Sequence, residues 1–130
     1  MTLDRYHPYA LALLRIVAGL LFMEHGTQKL LSFPAGEHGG VALMSLFGAA
    51  GLIELVGGAL LAVGLFTRVV AFICSGEMAV AYWMAHAPQN PFPVNNGGDA
   101  AILYCFVFLL LVFAGAGAFS VDGAGKPSRV

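Results

Sequence analysis

The chain has 130 residues, 59% of them hydrophobic and 10% charged, with a formal net charge of -1 and a mean hydropathy of +0.85. A soluble domain of this length cannot bury so much apolar surface. The balanced charge, without a basic run, excludes a nucleic-acid partner from the expectation, which is one all-α membrane domain: an antiparallel bundle of four transmembrane helices.

A bilayer core about 30 Å thick takes roughly 20 helical residues to cross. The first apolar stretch of that length runs over about 9–31. It carries Arg15, Glu24, His25 and Lys29, so it reads as a retained span rather than a cleaved signal peptide. Residues 32–40 contain Pro34, Gly36, Gly39 and Gly40 and break the helix. The second span covers about 46–66 and holds Glu54. Thr67-Arg68 forms a tight hairpin into the third span, about 69–87, which carries Glu77 and His86. Pro88 to Gly98, with three prolines and three asparagines, predicts a structured loop before the fourth span at about 100–119. Short links make neighbouring spans antiparallel. Arg5, Arg68, Lys126 and Arg129 fall on one side, which places both termini in the cytoplasm.

Ionisable residues inside a span cost several kcal/mol unless they face a partner or water, so each is a candidate for function. At 100° per residue, Arg15, Gly19, Phe22, Gly26 and Lys29 share one stripe, with His25 on its flank and Glu24 opposite. Glu54 stands among Gly51, Gly58 and Leu61 and should face the bundle interior. Counting 1.5 Å per residue from the cytoplasmic edge puts Arg15 at roughly 9 Å and Glu77 at roughly 12 Å. A structural Arg15–Glu77 ion pair is therefore expected. Glu54 falls at roughly 18 Å, His25 at roughly 24 Å and Lys29 near the outer edge. Glu54, His25 and Tyr104 then form an outer level. A carboxylate beside an imidazole has the parts for proton transfer or for binding a polar ligand head, so Glu54 and His25 are the candidate catalytic pair. A purely structural role, pinning the helices together, is the alternative.

Cys74 and Cys105 lie at different depths, roughly 8 and 20 Å from the cytoplasmic edge, too far apart for a disulfide. Buried single thiols act as small apolar fillers. No HxxxH, CxxC or paired ExxH spacing occurs, so no metal site is expected.

Leu14-Arg15 with Gly19, Phe22, His25-Gly26 and Lys29-Leu30 resembles the first-helix signature of the DoxX family. Glu54-Leu55 with Gly57-Gly58, Gly64-Leu65 and Thr67-Arg68 resembles the second, and Met78 to Tyr82 with His86-Ala87-Pro88 the third. Asn96-Gly97-Gly98-Asp99 and Ser120-Val121-Asp122 complete the likeness. Asp99, where the family more often has Glu, and Gly115-Ala116-Gly117-Ala118, where it tends to have Gly-Pro-Gly, depart from the pattern. The resemblance implies a four-helix bacterial inner-membrane protein with a quinone-linked oxidoreductase role. It matches Arg15, His25, Lys29, Glu54, His86 and Asp99 to its polar motif positions; Arg15, Lys29, His86 and Asp99, together with Tyr104 of the outer level, are the ligand-binding candidates.

A lipophilic quinone or aromatic ligand between the helices is thus the first functional expectation, with no covalently bound cofactor. The sequence holds no Gly-rich dinucleotide fingerprint, CxxCH or dithiol, so a redox protein partner would supply electrons. A non-enzymatic scaffold or assembly subunit for a partner oxidoreductase is the alternative. A small transporter, which would need a homo-oligomer to line a path, is a third reading.

Overall fold

In lipid every backbone polar group must be satisfied within the chain, and an apolar sequence of this kind does so as helices. The structure, a computed structural model, describes residues 2–36, 40 and 44–124. Lys126 and Arg129, used above for orientation, and residues 37–39 of the first link lie outside the described residues. The helices are α1 (His7–Leu31), α2 (Leu46–Val63), α3 (Thr67–Ala81), the short α4 (Pro93–Asn96) and α5 (Asp99–Ala114). A 3-10 turn at Leu3–Tyr6 leads into α1. After α3 a π-helical turn at Tyr82–His86 and a 3-10 turn at Ala87–Gln89 carry the chain onward. No strand occurs among the described residues. Three helical stretches, Leu3–Leu31, Leu46–Val63 and Thr67–Gln89, are long and apolar enough to cross a membrane, and Asp99–Ala114 is a shorter apolar helix.

The ends differ from the sequence-based boundaries for local reasons. Gly64 takes φ 73° and stops α2, with Gly64 N and Leu65 N both donating to Leu60 O, a glycine-dependent closure. Gly115, at φ 82°, stops α5 at Ala114 rather than near 119. Ser45 caps α2, its Oγ accepting from Gly48 N at 3.0 Å, which is the favoured N-cap chemistry.

Helix α1 packs on α2 with backbone against backbone. A Cβ added to Gly19 would lie 2.8 Å from Ala62 N, and one on Gly58 would lie 2.6 Å from Met23 N. Only glycine allows that approach, the usual basis of tight helix pairs in lipid. On the other side of the bundle α3 and α5 pack through Ala71, Cys74, Phe108 and Leu111, all fully buried together with Phe22 and Leu61. The outward faces carry exposed Leu13, Val17, Leu20, Val80, Leu103 and Phe113, a surface that suits lipid rather than water.

Candidate functional site

The register of α1 on α2 decides which buried charges can meet. Gly19 lies against Gly58 and Ala62, and Gly26 against Gly51 and Leu55, so His25 is level with Glu54 and Lys29 lies one turn beyond. The Cα–Cβ bond of a helical residue leans toward the N-terminus, which carries the Lys29 side chain back to Glu54. Its Nζ donates to Oε1 at 2.6 Å and Oε2 at 2.8 Å. Glu54 is 1% exposed and Lys29 17%. Depth counting put Lys29 at the membrane edge because it followed the Cα and not the ammonium.

Glu77 joins this pair from α3. Its carboxyl is close enough to interact electrostatically with Glu54 and Lys29, while its buried Oε1 has no hydrogen-bond partner. Because α2 ends at Val63 and α3 begins at Thr67, Glu54 and Glu77 stand roughly 14 and 15 Å from the hairpin, on one level. One ammonium thus faces two carboxyls, of which only Glu54 is bonded to it.

The expected Arg15–Glu77 ion pair is not made. Arg15 is level with the α2–α3 hairpin, about 15 Å along the bundle from Glu77. Fully buried, its guanidinium donates from Nε to Leu61 O at 2.9 Å. Nη1 donates to Ala116 O and to Ala118 O, the latter at 3.0 Å, and Nη2 to Phe119 O at 2.7 Å. With α5 stopped at Ala114, the carbonyls of Ala116, Ala118 and Phe119 lie beyond the helix and have no helical amide to accept from. A planar fork of donors satisfies them where a point charge could not. The sequence-based fourth span, drawn through 119, concealed that competition.

The same end of the bundle has two further clasps. Asp122 accepts from Phe66 N and Thr67 N, both at 2.9 Å, and so caps α3. Arg68 donates to Val112 O at 2.9 Å and Phe113 O at 2.7 Å, closing the C-terminus of α5. Asp122 was not singled out as a capping residue, since nothing in the sequence spacing links it to Phe66.

His25 is exposed, and its ring meets Tyr104 edge-on, with centroids 6.0 Å apart. Tyr104 in turn packs on Phe22 at 5.5 Å and Phe108 at 5.6 Å. These rings form an aromatic wall between α1 and α5, with Glu54 and Glu24 within Coulombic reach of Tyr104. The structure thus gives Glu54 to Lys29 and His25 to Tyr104. His86 and Asp99 are not part of this cluster. His86 lies roughly 13 Å beyond Glu77 along the chain's helical course, its Nδ1 3.0 Å from Asn96 O and its ring stacked on Tyr82 at 6.3 Å. Asp99 is exposed in the first turn of α5. Cys74 and Cys105 are both free thiols.

The family model for DoxX matches residues 10–87, more than half of the chain. The chain belongs to the DoxX family. A protein of Haemophilus influenzae named only as uncharacterized is 48% identical over 125 residues, which cover 92% of this chain and 93% of that one. No solved structure matches. The DoxX match spans α1 to the turns after α3 and so includes Arg15, His25, Lys29, Glu54, Glu77 and His86, while Tyr104 and Asp99 fall beyond it. As a membrane protein of the DoxX family, the chain meets lipid along its exposed apolar faces.

Proposed function

We propose that this DoxX-family chain is a quinone-linked component of a bacterial inner-membrane oxidoreductase. It binds a lipophilic quinone or related aromatic molecule between its helices and handles protons at Lys29, Glu54 and Glu77. The observation that carries the reading is the buried Lys29–Glu54 ion pair with a second carboxyl, Glu77, beside it, whose buried Oε1 has no partner. Glu54 is also within Coulombic reach of Tyr104 in the aromatic wall. Such a cluster can accept or release a proton inside an apolar bundle with little change in structure, and flat rings suit a flat ligand. A quinone carries electrons and protons together, and a partner redox protein supplies or takes the electrons.

In this reading α5 is the fourth span and both termini are cytoplasmic. At 16 residues it covers about 24 Å; the remaining depth is crossed by residues 115–119, where Arg15 satisfies the carbonyls of Ala116, Ala118 and Phe119, as non-helical backbone in a membrane requires. The test is a quinone titration of the purified protein in lipid. Glu54→Gln and Glu77→Gln should each weaken binding about ten-fold or more; unchanged binding in both variants overturns the assignment of the site.

A second reading, a scaffold or assembly subunit for a partner oxidoreductase, draws on the Arg15, Arg68 and Asp122 contacts, which all serve to hold backbone segments together. It expects the Glu54 and Glu77 variants to keep both a co-purifying partner and that partner's activity. Loss of activity with the partner retained would count against it.

A further inference from the structure

An open cavity of about 970 Å³ lies at the end of the bundle where α1 and α3 begin and α5 stops. Its walls are fixed by backbone bonds. Ala118 N donates to Pro8 O at 3.0 Å, Val121 N to Val63 O at 3.0 Å and Asp122 N to Gly64 O at 2.9 Å, tying together the start of α1, the α2–α3 hairpin and the segment after α5. The lining mixes charge, from Arg5, Arg68 and Asp122, with exposed apolar side chains such as Tyr9, Phe66 and Val69. Phe66 and Val69 flank Arg68 in the first turn of α3, so charge and apolar surface adjoin.

The positive charge of this end is not neutralised within the described residues. Arg15, fully buried, stands directly behind the wall, since the carbonyls of Ala116, Ala118 and Phe119 that it bonds belong to lining residues. Arg68 gives Nη1 alone to Val112 O and Phe113 O, and a guanidinium has five donors. Arg5 donates from Nη2 to Tyr6 Oη at 2.5 Å. All these acceptors are neutral, and none of the three arginines makes an ion pair among the described residues. Asp122 accepts from the amides of Phe66 and Thr67, its charge serving the N-terminus of α3. Three arginines against Asp4 and Asp122 leave an excess of one positive charge. A cation taken out of water is costly until an anion approaches it.

We infer that this cavity binds the phosphate head of an anionic phospholipid, with the phosphate on Arg5 and Arg68 and the first acyl carbons on Phe66 and Val69. Headgroups lie where membrane spans end, and basic pockets between spans recognise anionic ones. A zwitterionic lipid would bring its own cation to the arginines, so the site discriminates by headgroup charge. A soluble phosphate shares the anion but has no use for the exposed apolar lining. The inference is independent of any ligand at the Lys29–Glu54 pair, which lies roughly 14 Å from the hairpin.

The test is calorimetric titration of the full chain, in a neutral detergent, with dihexanoyl phosphatidylglycerol and dihexanoyl phosphatidylcholine. These share their chains and differ in head charge. The glycerol lipid should bind about ten-fold more tightly, and Arg5→Gln and Arg68→Gln should each cut its affinity about five-fold, the scale of one arginine at a lipid surface. Val69→Trp, which fills the cavity without changing charge, should weaken it too. Thermal unfolding checks each variant; if Arg68→Gln does not fold, Arg5→Gln, at an exposed side chain bonded to its neighbour, decides. Equal binding of the two lipids overturns the anion site. Losses in the arginine variants without one in Val69→Trp overturn the cavity in favour of a diffuse surface attraction. Displacement of the lipid by an equal concentration of inorganic phosphate or glycerol phosphate overturns the lipid in favour of a soluble anion.

Discussion

The ammonium of Lys29 lies between the two carboxylate oxygens of Glu54, 2.6 and 2.8 Å from them, and joins α1 to α2 where no backbone hydrogen bond can. The Gly26 contact with Gly51 and Leu55 sets this register, so the ion pair and the glycine packing specify the same alignment. About 15 Å away along the bundle, Arg15 performs a different task with the same sign of charge, holding carbonyls of α2 and of the segment after α5.

Lys29→Met should be strongly destabilising, because it leaves the nearly inaccessible Glu54 without its counter-ion. Breaking a buried pair from one side costs about 3–5 kcal/mol. Combining it with Glu54→Gln should recover most of that loss, since the amide carries no charge to strand. Unfolding in detergent by heat or SDS measures both. Equal losses in the single and double variants would show that the pair is not energetically coupled.

Arg15→Lys should cost about 2–4 kcal/mol, since an ammonium cannot reach four divergent carbonyls and hydrogen bonds from charged donors contribute about 1.5–3 kcal/mol each. Adding Glu77→Gln should leave that cost unchanged to within about 0.5 kcal/mol, as expected of sites without shared partners. A larger coupling would restore the Arg15–Glu77 pair that depth counting suggested. Limited proteolysis should also show earlier cleavage after Ala114 in the Arg15 variant.

The helical class and the polar stripe of α1 were legible because hydropathy and a 3.6-residue period act locally. Glu54 facing the bundle interior followed from its glycine neighbours in the same way. The partners were not legible. Lys29 reached Glu54 through the direction of its side chain, which residue counting omits. Arg15 found carbonyls exposed only because Gly115 ended α5 early, and Asp122 reached the N-terminus of α3 across more than fifty residues. A shift of three residues at the end of α2 and two at the start of α3 was enough to bring Glu54 and Glu77 to one level, after counting had separated them.

Gly26→Ala and Gly76→Ala should differ in sign. A Cβ at Gly26 would run into the backbone of Leu55, whereas one at Gly76 would have nothing within 4 Å. Backbone cannot swing aside as a side chain can, so Gly26→Ala should lose about 1–3 kcal/mol as an overpacked contact. Gly76→Ala should be neutral or gain up to about 1 kcal/mol from helix propensity. The comparison is made by unfolding both variants in the same detergent; equal effects would mean that α1 and α2 do not approach as closely as described.

The loop between α3 and α5 depends on Asn96 more than on its charged neighbour. Asn96 is 4% exposed; its Nδ2 donates to Tyr82 Oη at 3.2 Å and to Asn90 O at 2.9 Å, and its Oδ1 accepts from Gly98 N at 2.8 Å. His86 sits on its backbone carbonyl, so the π-helical turn at Tyr82–His86 and the start of α5 converge on one residue. Asn96→Ala removes three side-chain hydrogen bonds and leaves buried partners unmatched, a loss of about 2–4 kcal/mol. Cleavage between Pro88 and Gly98 by an added protease should rise accordingly. Asp99→Asn, at an exposed position, should cost no more than about 1 kcal/mol, the scale of a carboxylate's interaction with a helix N-terminus. If Asp99→Asn instead matched Asn96→Ala in protease sensitivity, the loop would be organised by charge rather than by the Asn96 hydrogen bonds.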